Sequence, residues 1–159
     1  MVLSKAIVAP KHALTMPRLE LCAAVLAVEM GNFAQGNLEL VMDTTSYYTD
    51  CKVVLGYIHN RTRRFYTYVA KRVQQILLRS AAEQWRYVPT NLNPTDLGTR
   101  AIPADELATS SWLLGPCFLR SDPSFTDTEV NIDYPLGEED KEYLTRNHGP
   151  RSQGHGKHT

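Results

Sequence analysis

Apolar residues change period several times along this chain, and each change marks an element. Ala6 to Ala9 (Ala-Ile-Val-Ala) is a short apolar run stopped by Pro10, and it reads as a strand. Leu19, Cys22, Ala23, Leu26 and Met30 then recur at helical spacing. Thr15 is placed to cap that helix and Pro17 falls in its first turn, where a missing N–H is harmless, so a helix is expected to about Asn32. Ala23, Ala24 and Ala27 thin one side of it for close approach to a sheet. Thr44 to Thr49 is β-branched and aromatic, a strand by composition, and Val53, Val54, Tyr57 and Ile58 then share one helical face. A basic linker, His59 to Arg64, leads to another helix with Phe65, Val69, Val73 and Ile76 or Leu77 as its buried stripe. Gln84 to Val88 alternates as a strand and stops at Pro89, and Asn93-Pro94-Thr95-Asp96 has the order of a helix start. Pro103 to Ala108 reads as a short helix, with Trp112, Leu113, Leu114 and Phe118 packing back on the core. Strands alternating with helices predict an α/β fold.

Composition sets the boundaries. With 159 residues, 43% hydrophobic and 21% charged, the chain can build one domain with a real core, assigned to residues 1–120. From about Ser121 it turns acidic and proline-containing and ends rich in His and Gly, so residues 121–159 are expected to be a largely disordered tail. His148, His155 and His158 in that tail have no fixed geometry for a metal. Net charge is zero but uneven. Between Cys51 and Ala82 there is no acidic residue, while Lys52, Arg61, Arg63, Arg64, Lys71, Arg72 and Arg79 are basic. Such a block suits a polyanion or is a solvated helix face. The three cysteines, Cys22, Cys51 and Cys117, are scattered, which argues against a disulfide framework and a zinc knuckle. No signal peptide is visible, and the longest apolar run, Leu21 to Val28, is too short to span a bilayer. A cytoplasmic or nuclear location with no membrane partner is expected.

Three carboxylates carry the candidate chemistry. Asp50 stands where a strand gives way to a helix, the rim of an α/β sheet where ligands bind. Glu20 is expected in the opening turn of the first helix, and Asp96 in the opening turn of a later one. Each has a plain alternative: Asp50 and Asp96 as capping residues, Glu20 as a carboxylate on a helix dipole. Taken together, element ends of this kind can converge on one sheet edge. Clustered carboxylates there are stable chiefly when divalent cations neutralise them, and two Mg²⁺ about 3.5–4 Å apart serve phosphodiester hydrolysis.

Thr15-Met-Pro-Arg-Leu-Glu-Leu-Cys-Ala-Ala24, Tyr48-Thr-Asp-Cys-Lys-Val-Val-Leu-Gly-Tyr-Ile58 and Trp85-Arg-Tyr-Val-Pro-Thr-Asn-Leu-Asn-Pro-Thr-Asp-Leu-Gly-Thr-Arg100 closely resemble the ribonuclease H-like region of Pao-type (BEL/Pao) LTR retrotransposon polyproteins, over roughly residues 3 to 125. The resemblance implies a ribonuclease H-like mixed sheet flanked by helices. It implies Mg²⁺-dependent (or Mn²⁺-dependent) cleavage of RNA in RNA–DNA hybrids during reverse transcription, with the reverse transcriptase part of a polyprotein as a partner. It also makes Glu20, Asp50 and Asp96 catalytic metal ligands. Two departures follow. The family's pattern has a further Asp on its first strand, whereas Glu20 is the first acidic residue here. The sheet is therefore expected to lack its first two strands and the chain to be inactive alone. Cys51 also replaces the Ser that commonly follows the Asp.

The second reading is a non-catalytic nucleic-acid-binding module using the basic 52–79 stretch, with Lys52, Arg61, Arg63, Arg64, Lys71 and Arg72 as phosphate ligands and tyrosines such as Tyr57, Tyr66 and Tyr68 alongside. An integrase-like nuclease usually orders its carboxylates Asp, Asp, Glu, and the order here is Glu, Asp, Asp. An aspartic peptidase needs Asp-Thr/Ser-Gly; the nearest approach, Asp43-Thr44-Thr45, lacks the glycine.

Overall fold

The computed structural model describes residues 3–9, 15–39, 42–100, 102–121 and 134. Most of the tail expected over 121–159 lies outside them. Helix α1 (Met16–Asn37) starts where Thr15 turns extended, and Thr15 O accepts from Arg18 N and Leu19 N at 3.0 and 3.1 Å. The Thr15 side chain makes no capping bond. The helix runs five residues past the expected Asn32, because Phe33-Ala-Gln continues it and Asn37 Nδ2 closes back on Phe33 O at 2.7 Å.

The expected stripe of α1 is out of phase. Leu21, Ala24 and Val28 are the buried residues, while Ala23 is exposed and Leu19, Cys22, Leu26 and Met30 are half-buried. Residues 21–28 are apolar on every side, so their spacing alone does not select a face.

Strand β1 (Tyr47–Thr49) is followed by α2 (Lys52–His59), α3 (Thr67–Leu77) and β2 (Trp85–Tyr87). The strands are parallel, with Tyr47 opposite Trp85 and Thr49 opposite Tyr87. A helical crossover is what a parallel pair requires. Val88 N extends the ladder to Thr49 O at 3.0 Å. The Gln84 side chain clips the two strand entrances together, accepting from Ala81 N (2.7 Å) and donating to Thr45 O (2.9 Å). Gln84 itself ends a 3₁₀ turn (Ala82–Gln84) rather than joining the strand.

Tyr47 stacks on Trp85 at 5.0 Å, and Gly31 of α1 makes room for it: a Cβ there would meet the Tyr47 hydroxyl at 2.7 Å. The core gathers Leu21 and Val28 with Val54, Leu55, Tyr57, Ile58, Val69 and Ile76, each fully buried. Val53, expected on that face, is exposed instead, since α2 turns Leu55 inward. Trp85 Nε1 donates to Ser80 Oγ (2.9 Å), which donates to Ile76 O (3.0 Å), so the buried indole and hydroxyl are both satisfied. Phe65 packs edge-on to Tyr57, and the buried Tyr134 ring lies 5.4 Å from His59.

Residues 6–9 do not form the expected strand. They are exposed, Val8 at 93%, because no described strand lies alongside to pair with them. The Asn93 start is borne out as a cap, its side chain accepting from Thr95 N, but the segment it opens (Pro94–Thr99) is 3₁₀. Three one-turn helices follow: α4 (Ala104–Leu107), α5 (Ser111–Leu114) and α6 (Phe118–Ser121). Phe118 is buried against Tyr48 and Trp112 closes over Gly98, whereas Leu113 and Leu114 remain 41% and 52% exposed. The fold is therefore α/β, with a two-stranded parallel sheet among the described residues. No described helix is long and apolar enough to cross a membrane.

Candidate functional site

Parallel strands place both carboxyl ends on one edge of the sheet, and the site begins there. Asp50 follows the last residue of β1, and Cys51, not Asp50, occupies the cap position of α2. Thr49 Oγ1 accepts from Cys51 N at 3.2 Å, which tightens the turn that carries Asp50. Glu20 comes from α1. Because that helix starts at Met16, Glu20 sits beyond its first turn, and the expected dipole role falls away.

Burial pushes the Glu20 carboxyl above the usual carboxylate range, and the negative charge of Asp50 pushes it further. Of the three candidate carboxylates, Glu20 and Asp50 are therefore near enough for the charge of one to act on the other. Cys51 joins them. Burial raises its thiol, the backbone N–H groups of Val54 and Val53 oppose that, and the carboxylates of Glu20 and Asp50 add to it. In the sequence Cys51 stands out only as a replacement for the Ser that commonly follows the Asp, and its position next to Asp50 was the available signal.

Asp96 is placed differently. Its carboxylate accepts from Arg100 Nη2 at 2.6 Å, one helical turn on in sequence, in a recess shared with Asn93, Leu97 and Ser111. The charge acting on Glu20 is that of Asp50, not of Asp96. Among the described residues, no group of three or more His, Cys, Asp or Glu side chains is spaced to hold a metal ion. Two crowded carboxylates still suit one hard divalent cation, since Mg²⁺ commonly takes one or two carboxylates and completes its shell with water and phosphate oxygens.

The basic residues divide by environment. Lys52, the first residue of α2, lies 4.7 Å over the ring of Tyr87, the last residue of β2, and so stands at the same edge as Asp50. Arg61, Arg63 and Arg64 ride on a loop that Asn60 fixes, its Oδ1 accepting from Thr62 N and Arg63 N and its Nδ2 donating to Arg63 O. Arg61 pairs with Glu83 at 3.5 Å, both largely exposed. Arg63 and Arg64 rim an open groove of about 550 Å³ floored by Tyr57, Phe65 and Val73. Lys71 is exposed on α3, while Arg72 is laid on Tyr68.

No curated protein and no solved structure matches the chain. Residues 1–51 match the family model of the Pao retrotransposon-like RNaseH-like domain. That span holds both Glu20 and Asp50, and over it the chain is similar to the family that its motifs resemble.

Proposed function

We propose that this chain is a retrotransposon ribonuclease H-like fragment that engages RNA–DNA hybrids and uses Glu20 and Asp50 to hold Mg²⁺, with Mn²⁺ as a substitute. The observation that carries this reading is that the half-buried Glu20 carboxyl feels the charge of Asp50 at the end of β1, both inside the matched span. A divalent cation bound there would polarise a phosphate oxygen and lower the pKa of bound water. The chain's own residues do the rest. Burial at α1 and the Thr49 turn fix the two carboxylates, Lys52 and the arginine loop attract the backbone, and Asp96 becomes a third ligand only when it leaves Arg100.

Two carboxylates suffice for one ion, whereas a two-ion displacement needs more fixed oxygens, so the chain alone is expected to bind hybrids far better than it cuts them. Cleavage in the parent polyprotein would draw on its reverse transcriptase part. The test compares hybrid affinity with Mg²⁺-dependent release of labelled RNA, for the chain and for Asp50→Asn. Binding with little release supports the proposal. Robust release that survives Asp50→Asn contradicts the assignment of the site.

A purely binding role is the second reading, favoured by the exposure of Lys52, Arg61, Arg63, Arg64 and Lys71. It predicts hybrid affinity unaffected by either carboxylate or by Mg²⁺.

A further inference from the structure

Where β1 gives way to α2, a cation and a carboxylate two residues apart do not pair. Lys52 follows Asp50 closely, yet among the described residues no ion pair links it to Asp50 or to Glu20. Its Nζ lies instead 4.7 Å over the Tyr87 ring. The sheet sets the place of that ring. Tyr87 is the register partner of Thr49, the residue before Asp50, and just beyond them Val88 N donates to Thr49 O at 3.0 Å. Tyr87 is half-buried and packs against the core, whereas Lys52 is exposed, so the ring is the fixed member of the pair.

Two forces act against that arrangement. Opposite charges attract, and the Lys52 ammonium rides on a flexible stem close in sequence to Asp50. Lys52 is also the first residue of α2, where the partial positive charge of the helix terminus disfavours a cation. That first turn holds no acidic residue to offset the cost. Both forces favour a Lys52 swung onto Asp50. The negative face of an aromatic ring opposes them, since it attracts an ammonium within about 6 Å of its centroid.

An ammonium lying on the carboxylates would cancel the charge that draws a divalent cation, and an entering ion would have to displace it. We infer that Tyr87 is a positioning residue: its ring holds the Lys52 ammonium off Asp50 and Glu20 and so keeps both carboxylates open to a divalent cation. The inference rests on the cation-site reading above and adds Tyr87 to it. The aromatic face does the holding, and the phenol hydroxyl has no part in it.

The test uses the full chain and Mg²⁺, with Tyr87→Phe, Tyr87→Leu, Lys52→Met and Tyr87→Leu/Lys52→Met beside the native sequence and a melting temperature for each. NMR follows the Lys52 ε-methylene protons, which an aromatic face shifts upfield, and the carboxyl carbons of Glu20 and Asp50 at fixed pH. Calorimetry gives Mg²⁺ affinity. The ε-protons are expected upfield in the native chain and in Tyr87→Phe, and at their ordinary position in Tyr87→Leu. Tyr87→Leu lowers Mg²⁺ affinity about two- to fivefold, the factor that an exposed cation–π contact represents, as Lys52 moves onto the carboxylates. The double variant restores the affinity. Lys52→Met alone changes it by less than about twofold, because exposed charges held apart are largely screened. An ordinary ε-proton position in the native chain overturns the inference, as does a several-fold gain in Mg²⁺ affinity from Lys52→Met alone; these two readings decide even if Tyr87→Leu does not fold. A folded Tyr87→Leu that lowers only the melting temperature also overturns it and leaves the contact as packing between α2 and β2. If the native chain takes no Mg²⁺, the cation-site reading fails and the carboxyl carbons decide. Signals that move with Lys52→Met only when Tyr87 is replaced by Leu retain the positioning role, and signals that move equally with Tyr87 in place, or in neither background, overturn it.

Discussion

Glu20 and Asp50 repel each other, and the repulsion is readable in pH. The Glu20 pKa is raised in the fold above its ordinary 4.5, so the folded chain holds that proton more tightly than the unfolded chain. Stability therefore falls as pH rises from about 4.5 to the folded pKa and carries a constant penalty above it. Asp50→Asn removes the charge but not the burial, so it should shrink this acidic-limb slope without abolishing it, measured as melting temperature against pH. A slope unchanged by the substitution would mean that Asp50 does not act on Glu20. Arg100→Gln tests the third carboxylate. The Arg100–Asp96 pair is exposed, 69% and 41%, and such pairs contribute only about 0.3–0.5 kcal/mol, so melting should barely move. Divalent affinity should rise if the released Asp96 joins Glu20 and Asp50; an unchanged affinity would assign Asp96 to its turn alone.

Elements are held by a few specific devices, and these were the parts least legible in the sequence. Ser80→Ala should cost about 1–3 kcal/mol in chemical denaturation, because it leaves the buried Trp85 Nε1 without its acceptor; a neutral result would show that the indole finds another. Nothing in a serine four residues after Ile76 announces that relay, since its partner appears only when β2 folds back. The two strands were legible, though not their pairing: Tyr47–Thr49 is β-branched and aromatic, and Trp85–Val88 alternates up to a proline. Helix α3 was legible too, because Val69, Val73 and Ile76 are separated by Ala70 and four polar residues, Lys71, Arg72, Gln74 and Gln75, that leave one solution for its face. Helix α1 was legible as a helix but not in phase, for the opposite reason. Residues 6–9 show propensity losing to context: a strand-forming run without a neighbouring strand among the described residues has no ladder to join. At the site, strand-end logic placed Asp50 between β1 and α2, where it lies. It could not foresee Arg100 taking Asp96, because an ion pair across one turn looks the same on paper whether or not it forms.

For the whole molecule, the account joins a carboxylate edge to a basic surface on a small α/β domain whose first 51 residues match a Pao retrotransposon-like RNaseH-like domain. Arg61, Arg63 and Arg64 share one fixed loop, so replacing all three with Gln should lower the salt slope of hybrid binding by about three. An unaltered slope would make that loop a solvated surface. The central claim, that Glu20 and Asp50 form a cation site, is tested most directly by following the Glu20 carboxyl carbon by NMR through a pH titration with and without Mg²⁺. The account predicts that Mg²⁺ brings the raised Glu20 pKa down and that Asp50→Asn weakens this response sharply. A Glu20 titration indifferent to Mg²⁺ in the native chain would contradict it.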